Sequence, residues 1–256
     1  MGGTPEIITL YGGLVTLEYD DAKHAYRYNG VVVPGVTSVT GIKDKPFLIP
    51  WALKMAGNYL LENWPEEPSA RVTREAVVKA MKQAHRKVRD TAADYGKQAH
   101  EWVENRIKAQ LSMLPDPVLP TIPEVLSAVR AFLAWEEEHR VHYLASEKKI
   151  FSLAHQYAGT LDILANIDGE DTLLDLKTSN SYHDEYGLQT AAYCMAHNEE
   201  TRENVKERVV LMLHKETAQF DPVVLPSSRF DRDVSGFLGA LQLWKWAEEE
   251  KAWRKS

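Results

Sequence analysis

Three residues in the segment GTLDILANIDGEDTLLDLKTSN (159–180) carry side chains able to work on a metal or a phosphate: Asp162, Asp175 and Lys177. Each aspartate interrupts an apolar run of strand character, GTLDILANI and TLLDLKTS, at a point where a core residue is expected. Asp168-Gly169, between the runs, is a hairpin turn signal. A two-residue Asp168-Gly169 loop brings Asp162 directly opposite Asp175. A four-residue loop, DGED, brings Asp162 opposite Lys177 with Asp175 on the diagonal. Both registers keep the three side chains on one face, because direct partners share a face and the side-chain period is two. Only a three-residue loop without a bulge divides them.

Opposed carboxylates repel and weaken a sheet. A hard divalent cation between them reverses that sign, and oxygen ligands suit magnesium or manganese. Leu176 points to the core, which leaves its carbonyl free to face the ion. Lys177, on the aspartates' face, can orient or deprotonate a water or neutralise a phosphate oxygen. This combination suits hydrolysis of a phosphodiester. The acidic-X-Lys spacing alone carries little, since it also occurs at Asp21/Lys23, Glu147/Lys149 and Glu249/Lys251, where a surface salt bridge explains it. Asp175/Lys177 differs in its apolar strand context and its facing strand.

Periodicity supplies the elements that must position this hairpin. LVTLEYDDAKHAYRYNGVVV reads as strands separated by Asp-Asp and Asn-Gly turns, an N-terminal β-ribbon over 1–45 closed by PGVTSVTGIKDKP. Residues 46–115 read as a helical part carrying His100, broken at the WPEEPSA loop, with helical spacing from Arg71 to about Gln110. LPDPVLPTIP is a proline-rich connector. An α/β core over 120–256 follows: helix PEVLSAVRAFLAWEEEHR, strands VHYLASEKKIFS, AGTLDILANI and TLLDLKTS, and helix EYGLQTAAYCMAH. Strands KERVVLMLHK and AQFDPVVL and helix DVSGFLGALQLWKWAEEEKAW complete it. The order predicts a single α/β domain with a mixed central sheet flanked by helices.

The composition of the 256 residues, 44% apolar and 26% charged, is that of a globular protein. No apolar run approaches a membrane span and the N-terminus shows no signal peptide, so a cytoplasmic protein of a bacterial or phage-infected cell is expected, with no membrane partner. A lone cysteine, Cys194, excludes an internal disulfide and a four-thiolate zinc or iron–sulfur site. No phosphate-cradling G-x-x-x-x-G-K-[ST] loop is present, so no nucleotide cofactor or helicase motor is expected. The net charge of −7 argues mildly against indiscriminate nucleic-acid binding, yet KAMKQAHRKVRD concentrates cations. Lys82, Arg86, Lys87 and Arg89, with Lys97 further on, are either a solvated helix face or a strip that touches phosphates. Trp51 and Tyr59 are the aromatic residues best placed to meet a strand, with core packing the leading alternative.

With these motifs in order, the chain resembles the PD-(D/E)XK nucleases, in particular the RecB-like and phage-type exonuclease branch. That family has a G-x-x-D strand, a D-x-K or E-x-K strand and a helix with Q-x-x-x-Y, matched here by Gly159 to Asp162, Asp175 to Lys177 and Gln189 to Tyr193. Its upstream histidine after a glycine is matched by Gly96 and His100 in AADYGKQAHEWVE. The likeness covers residues 120 to 215 and the helix near His100. It implies an α-β-β-β-α-β core and a Mg2+/Mn2+-dependent deoxyribonuclease holding one or two ions. Asp162, Asp175, His100 and the Leu176 carbonyl would be ligands, and Lys177 would position or activate the attacking water. Gln189 and Tyr193 would support Lys177 and contact the DNA backbone, or simply form the rim of a buried helix. Glu147, beside Lys148 and Lys149, is a metal-linked group by resemblance and a solvated charge cluster by local sequence, the latter preferred. The absence of cluster cysteines points to the branch without iron–sulfur. Single-stranded DNA or duplex ends would be the substrate, in recombination, repair or genome processing, with a recombination or single-strand-binding protein as partner. A structure- or sequence-specific endonuclease on the same fold, and a catalytically silent DNA-binding module, are the alternatives.

Overall fold

The computed structural model describes residues 4–65 and 73–255. Strands β1 (Glu6–Leu10), β2 (Val15–Asp20), β3 (Ala25–Tyr28) and β4 (Val31–Val33) form an antiparallel sheet in sequence order. Asn29 and Gly30 both have positive φ, 51° and 74°, the two-residue turn that matches strand twist. β1 extends the expected ribbon by a strand that the pattern hides, since only Leu10 of EIITL is buried. A short helix, α1 (Val36–Thr40), lies within PGVTSVTGIKDKP, the segment read as closing the ribbon.

Helices α2 (Leu48–Asn63), α3 (Arg74–Met81), α4 (Ala84–Leu111) and α5 (Pro123–Glu138) follow. From Glu66 onward the WPEEPSA loop lies outside the described residues, as does Arg71, the expected helix start. The Thr73 hydroxyl caps α3 by accepting from the Ala76 amide at 3.1 Å, and the helix breaks at Lys82-Gln83 before α4 begins.

The second sheet contains β5 (Val141–Ser152), β6 (Tyr157–Ile167), β7 (Glu170–Lys177), β8 (Glu207–Leu213) and β9 (Phe220–Leu225), in that spatial order. Helix α6 (Glu185–Thr201) links β7 to β8, the one parallel pair of this sheet, as a parallel pair requires a crossover. Helix α7 (Phe230–Trp253) closes the chain. Among the described residues the protein is therefore mixed α/β with two sheets and seven helices, and no described helix is long and apolar enough to cross a membrane.

Two compact units divide the chain: Met1–Lys43 with His100–Ser256, and Asp44–Ala99. In the larger, α6 is buried along almost its whole length, including Ala191, Ala192, Cys194 and Ala196. Small side chains let it press on β5–β8 while α7 covers it, so its sequence shows little amphipathic bias. Tyr157, Leu161, Leu164 and Leu173 of the sheet share one core with Phe237 and Leu241 of α7 and Val36 and Val39 of α1. The ribbon joins the same unit. Leu17, Tyr26 and Val33 pack with Phe151 and Ala158, and Tyr26 Oη meets Thr160 Oγ1 at 2.8 Å. In the smaller unit Trp51 is half-buried, edge-on to His85, and Val77 is the buried anchor of α3.

Arg208, fully buried on β8, ties three elements together. Its Nη2 donates to Asp233 Oδ2 of α7 at 2.9 Å and its Nη1 to the Gly187 carbonyl of α6 at 3.0 Å. Removing one partner of such a pair strands a buried charge, which costs about 3–5 kcal/mol. Arg208→Ala should lose that amount in urea unfolding, whereas Arg208→Ala/Asp233→Ala should lose clearly less than the two single changes added together.

Candidate functional site

The Asp168-Gly169 turn sets the site. Both residues have positive φ, 54° and 105°, and pairing runs outward from Ile167–Glu170 to Ile163–Leu174, the two-residue-loop register. One step further the ladder stops. At Asp162 the carboxylate replaces the backbone as acceptor, Oδ2 taking the Leu176 amide proton at 2.8 Å. That bond holds one Asp162 oxygen and orients the Leu176 peptide. Leu176 itself is buried, as its strand position requires.

On the other side of β6, Ser146 pairs with Ile163 and Lys148 with Leu161, which brackets Glu147 opposite Asp162. Glu147 has φ of 50° within the strand, a conformation that costs a non-glycine residue about 1–3 kcal/mol and persists only where surroundings enforce it. The kink sends three consecutive charges apart. Lys148 Nζ reaches His197 Nδ1 at 3.1 Å and Glu200 at 3.2 Å, and Lys149 Nζ lies 4.8 Å over the Tyr19 ring. Glu147 turns instead to Asp162 and His100. The preferred reading of Glu147 as one of a solvated cluster is thereby corrected.

His100 is carried by α4, whose later turns are braced: Val103 and Ile107 are buried, Trp102 Nε1 donates to the Val118 carbonyl at 3.0 Å, and Arg106 pairs with Glu136 of α5 at 2.6 Å. Its Nδ1 stands 3.7 Å from Asp162 Oδ2. Among the described residues, His100, Glu147 and Asp162 each offer a ligand atom within 4.8 Å of the others, one nitrogen and two hard oxygens. Asp175 is not part of that group. It is 0% exposed; Oδ2 lies 2.5 Å from Lys177 Nζ as an ion pair without hydrogen-bond geometry, and Oδ1 accepts from Gln189 Nε2 at 3.3 Å.

Gln189 also donates to Tyr193 Oη at 3.0 Å. The two residues thus support Asp175 rather than Lys177. They are 8% and 3% exposed, so the expectation that they touch the DNA backbone is corrected too: α6 is covered by sheet and α7, and their polar atoms point inward. Gly159 explains itself here. A Cβ on it would lie 2.7 Å from Tyr193 Cε1, so the first residue of the G-x-x-D strand must be glycine for the ring to cross. Sequence reasoning missed Tyr186, whose ring carries Lys177 Nζ at 5.0 Å and whose hydroxyl meets Ser179 Oγ at 3.1 Å. Its position three residues before Gln189, on the helix face that follows the lysine strand, was the available signal. Lys82, Arg86, Lys87, Arg89 and Lys97 are exposed in the smaller unit, with Arg89 paired to Asp90 at 2.7 Å.

Electrostatics follow from this crowding. Burial, then Asp162, then Glu104 push the Glu147 carboxyl up to about 7. Burial lifts Asp175 against the opposing pull of Lys177. Burial disfavours the Lys177 ammonium, but the fields of Asp175 and Asp162 outweigh it and hold the amine protonated. Burial lowers His100 below the usual imidazole value despite Asp162, which leaves it neutral and able to ligate.

Two measurements check this balance. The stability associated with a neutral Glu147 is fully present below the ordinary carboxylate range and lost as pH rises through about 7. Glu147→Gln should therefore raise the melting temperature of metal-free protein at pH 8 by about 2 °C or more, and change it little at pH 5. By calorimetry, affinity for Mn2+ should rise between pH 6 and 8 with release of protons, because Glu147 must ionise to ligate; a flat profile would remove it from the site. No model of a known protein family matches the chain, and no curated protein matches it significantly.

Proposed function

We propose that the protein is a magnesium- or manganese-dependent DNA nuclease, an exonuclease acting on DNA ends or single strands. One observation carries this reading: His100, Glu147 and Asp162 converge beside a buried Asp175–Lys177 ion pair. The donor set fits a hard divalent ion, the histidine adding preference for manganese over magnesium. Asp175 Oδ2, buried and met among the described residues by Lys177 Nζ, fits a place beside that ion. His100, Glu147, Asp162 and Asp175 would hold it, with the Leu176 carbonyl. When bound, the ion supplies the charge that acidifies a water and neutralises a phosphate oxygen.

The chain's own groups divide the remaining work. Lys177, protonated between Asp175 and the Tyr186 ring, suits binding a phosphate oxygen and steadying the charge that develops there. It is poorly suited to taking a proton from water. Gln189 fixes the rotamer of Asp175, and Tyr193 fixes Gln189. The element order from α5 to β8, α-β-β-β-α-β, is the one a PD-(D/E)XK core implies, and it supports the RecB-like, phage-type reading. A role in recombination, repair or genome processing, with a single-strand-binding or recombination partner, is the corresponding biological context.

End-labelled single-stranded and duplex DNA, incubated with Mn2+ or Mg2+, tests this. Wild-type protein should shorten the label progressively, and Asp162→Asn and Asp175→Asn should each slow cleavage about a hundred-fold or more. Covalently closed circular DNA should survive; cutting of the circle would favour the endonuclease reading. Identical behaviour of wild type and Asp175→Asn would end the catalytic reading and favour a silent DNA-binding module.

A further inference from the structure

Within the smaller unit, Trp64 and helix α3 line an open groove about 440 Å3 in volume. Trp64 follows the last turn of α2 and is 44% exposed. From α3 the groove takes Arg74, Val78 and Lys82, four residues apart along one stripe, with Glu75 and Lys79 beside them. Arg74 reaches over the indole, its guanidinium carbon 5.4 Å from the ring centroid. The lining is thus an apolar floor, Trp64 and Val78, edged by three cations and one carboxylate. The exposed Arg86 and Lys87 of α4 continue the positive character along the same unit.

An accessible indole with a guanidinium over its ring and two ammonium groups beside it presents a surface suited to something flat and anionic. A solvated basic helix needs no tryptophan, and a protein-docking patch needs no excess of cations. The chemistry that satisfies both is a nucleotide with an unpaired base, whose ring stacks on indole while its phosphates meet ammonium groups. We propose that this groove seats single-stranded DNA, one base on Trp64 beside Arg74 and the flanking phosphates on Lys79 and Lys82. The choice of DNA rests on the nuclease reading above; the preference for an unpaired strand rests on the groove alone. Duplex DNA offers phosphates but no free base face, so it would use the lysines and not the indole.

Fluorescence anisotropy of a labelled oligodeoxythymidine, read in EDTA so that no strand is cut, tests the groove independently of catalysis. Trp64→Ala should weaken binding about ten-fold or more, with Trp64→Phe recovering part of the loss. The same change should alter binding of a blunt DNA hairpin by less than about two-fold. Lys79→Gln/Lys82→Gln should weaken both ligands and flatten the salt dependence of oligodeoxythymidine binding by about 1.4 in log–log slope. Circular dichroism of each variant confirms that the helices are kept. Unchanged oligodeoxythymidine binding by Trp64→Ala, or equal loss for strand and hairpin, would overturn the proposal. Cleavage by wild type with unchanged Trp64→Ala binding rejects the groove and leaves the nuclease. Selective loss of strand binding in a protein that cuts no DNA supports the groove and rejects the nuclease.

Discussion

A carboxylate with no exposed surface, Asp175, sits between Leu174 and Leu176 in the middle of an apolar sheet. Taking such a charge from water costs several kcal/mol, and the surroundings must return most of it. Lys177 comes from the same strand two residues on, therefore on the same face, and supplies the opposite charge. Gln189 supplies a neutral donor from α6, and Tyr193, one turn later, holds the amide in place. The ring of Tyr193 then needs room, which only a glycine at 159 leaves. One buried charge thus fixes residues on β7, α6 and β6, and the ribbon with α1 closes over the same corner through Val36, whose Cγ2 also bounds Gly159.

The neighbouring acids work in the opposite direction. Glu147 and Asp162 face one another across a strand pair, and Glu147 does so from a backbone conformation that a glutamate rarely adopts. Among the described residues these costs are offset only in part: Glu104 adds repulsion, Lys149 and Lys108 oppose it, and Asp162 takes the Leu176 amide proton. Strain and like charge gathered at one accessible point are what a binding site accumulates when selection favours a ligand over stability. This contrast separates the two halves of the cluster. Asp175 is paired within the protein with Lys177, whereas among the described residues no lysine or arginine forms an ion pair with Glu147 or Asp162.

Much of this was legible in the chain. The core elements from PEVLSAVRAFLAWEEEHR onward appear where periodicity puts them, and the Asp-Gly turn selected between the two registers, because positive φ at both loop residues permits the two-residue form alone. What periodicity could not show is where a strand departs from it. Glu147 was unreadable because its positive φ breaks the alternation of β5, which also slips register at Tyr143/Ala145. Gln189 and Tyr193 were identified but their inward direction was not, since a helix covered on both sides has no polar face to orient it. β1 was hidden because only Leu10 of its five residues is buried, with Ile8 packed against the core from its edge. In the smaller unit, Trp51, a candidate for strand contact with core packing as the leading alternative, is half-buried and edge-on to His85.

The Leu176 peptide links the two halves. In a regular ladder its amide would bond to a β6 carbonyl, and Asp162 would be free to swing. Here the amide goes to Asp162 Oδ2, at the point where β6 and β7 stop pairing, so a backbone bond has been exchanged for a fixed carboxylate. The exchange is nearly neutral in hydrogen-bond count and favourable in charge, since a donor to a carboxylate is stronger than one to a carbonyl. The Leu176 amide, part of the Asp175–Leu176 peptide, is therefore turned toward the acidic cluster. Burial of the Leu176 side chain anchors this stretch of β7, so the carboxylate held by its amide is fixed from the core.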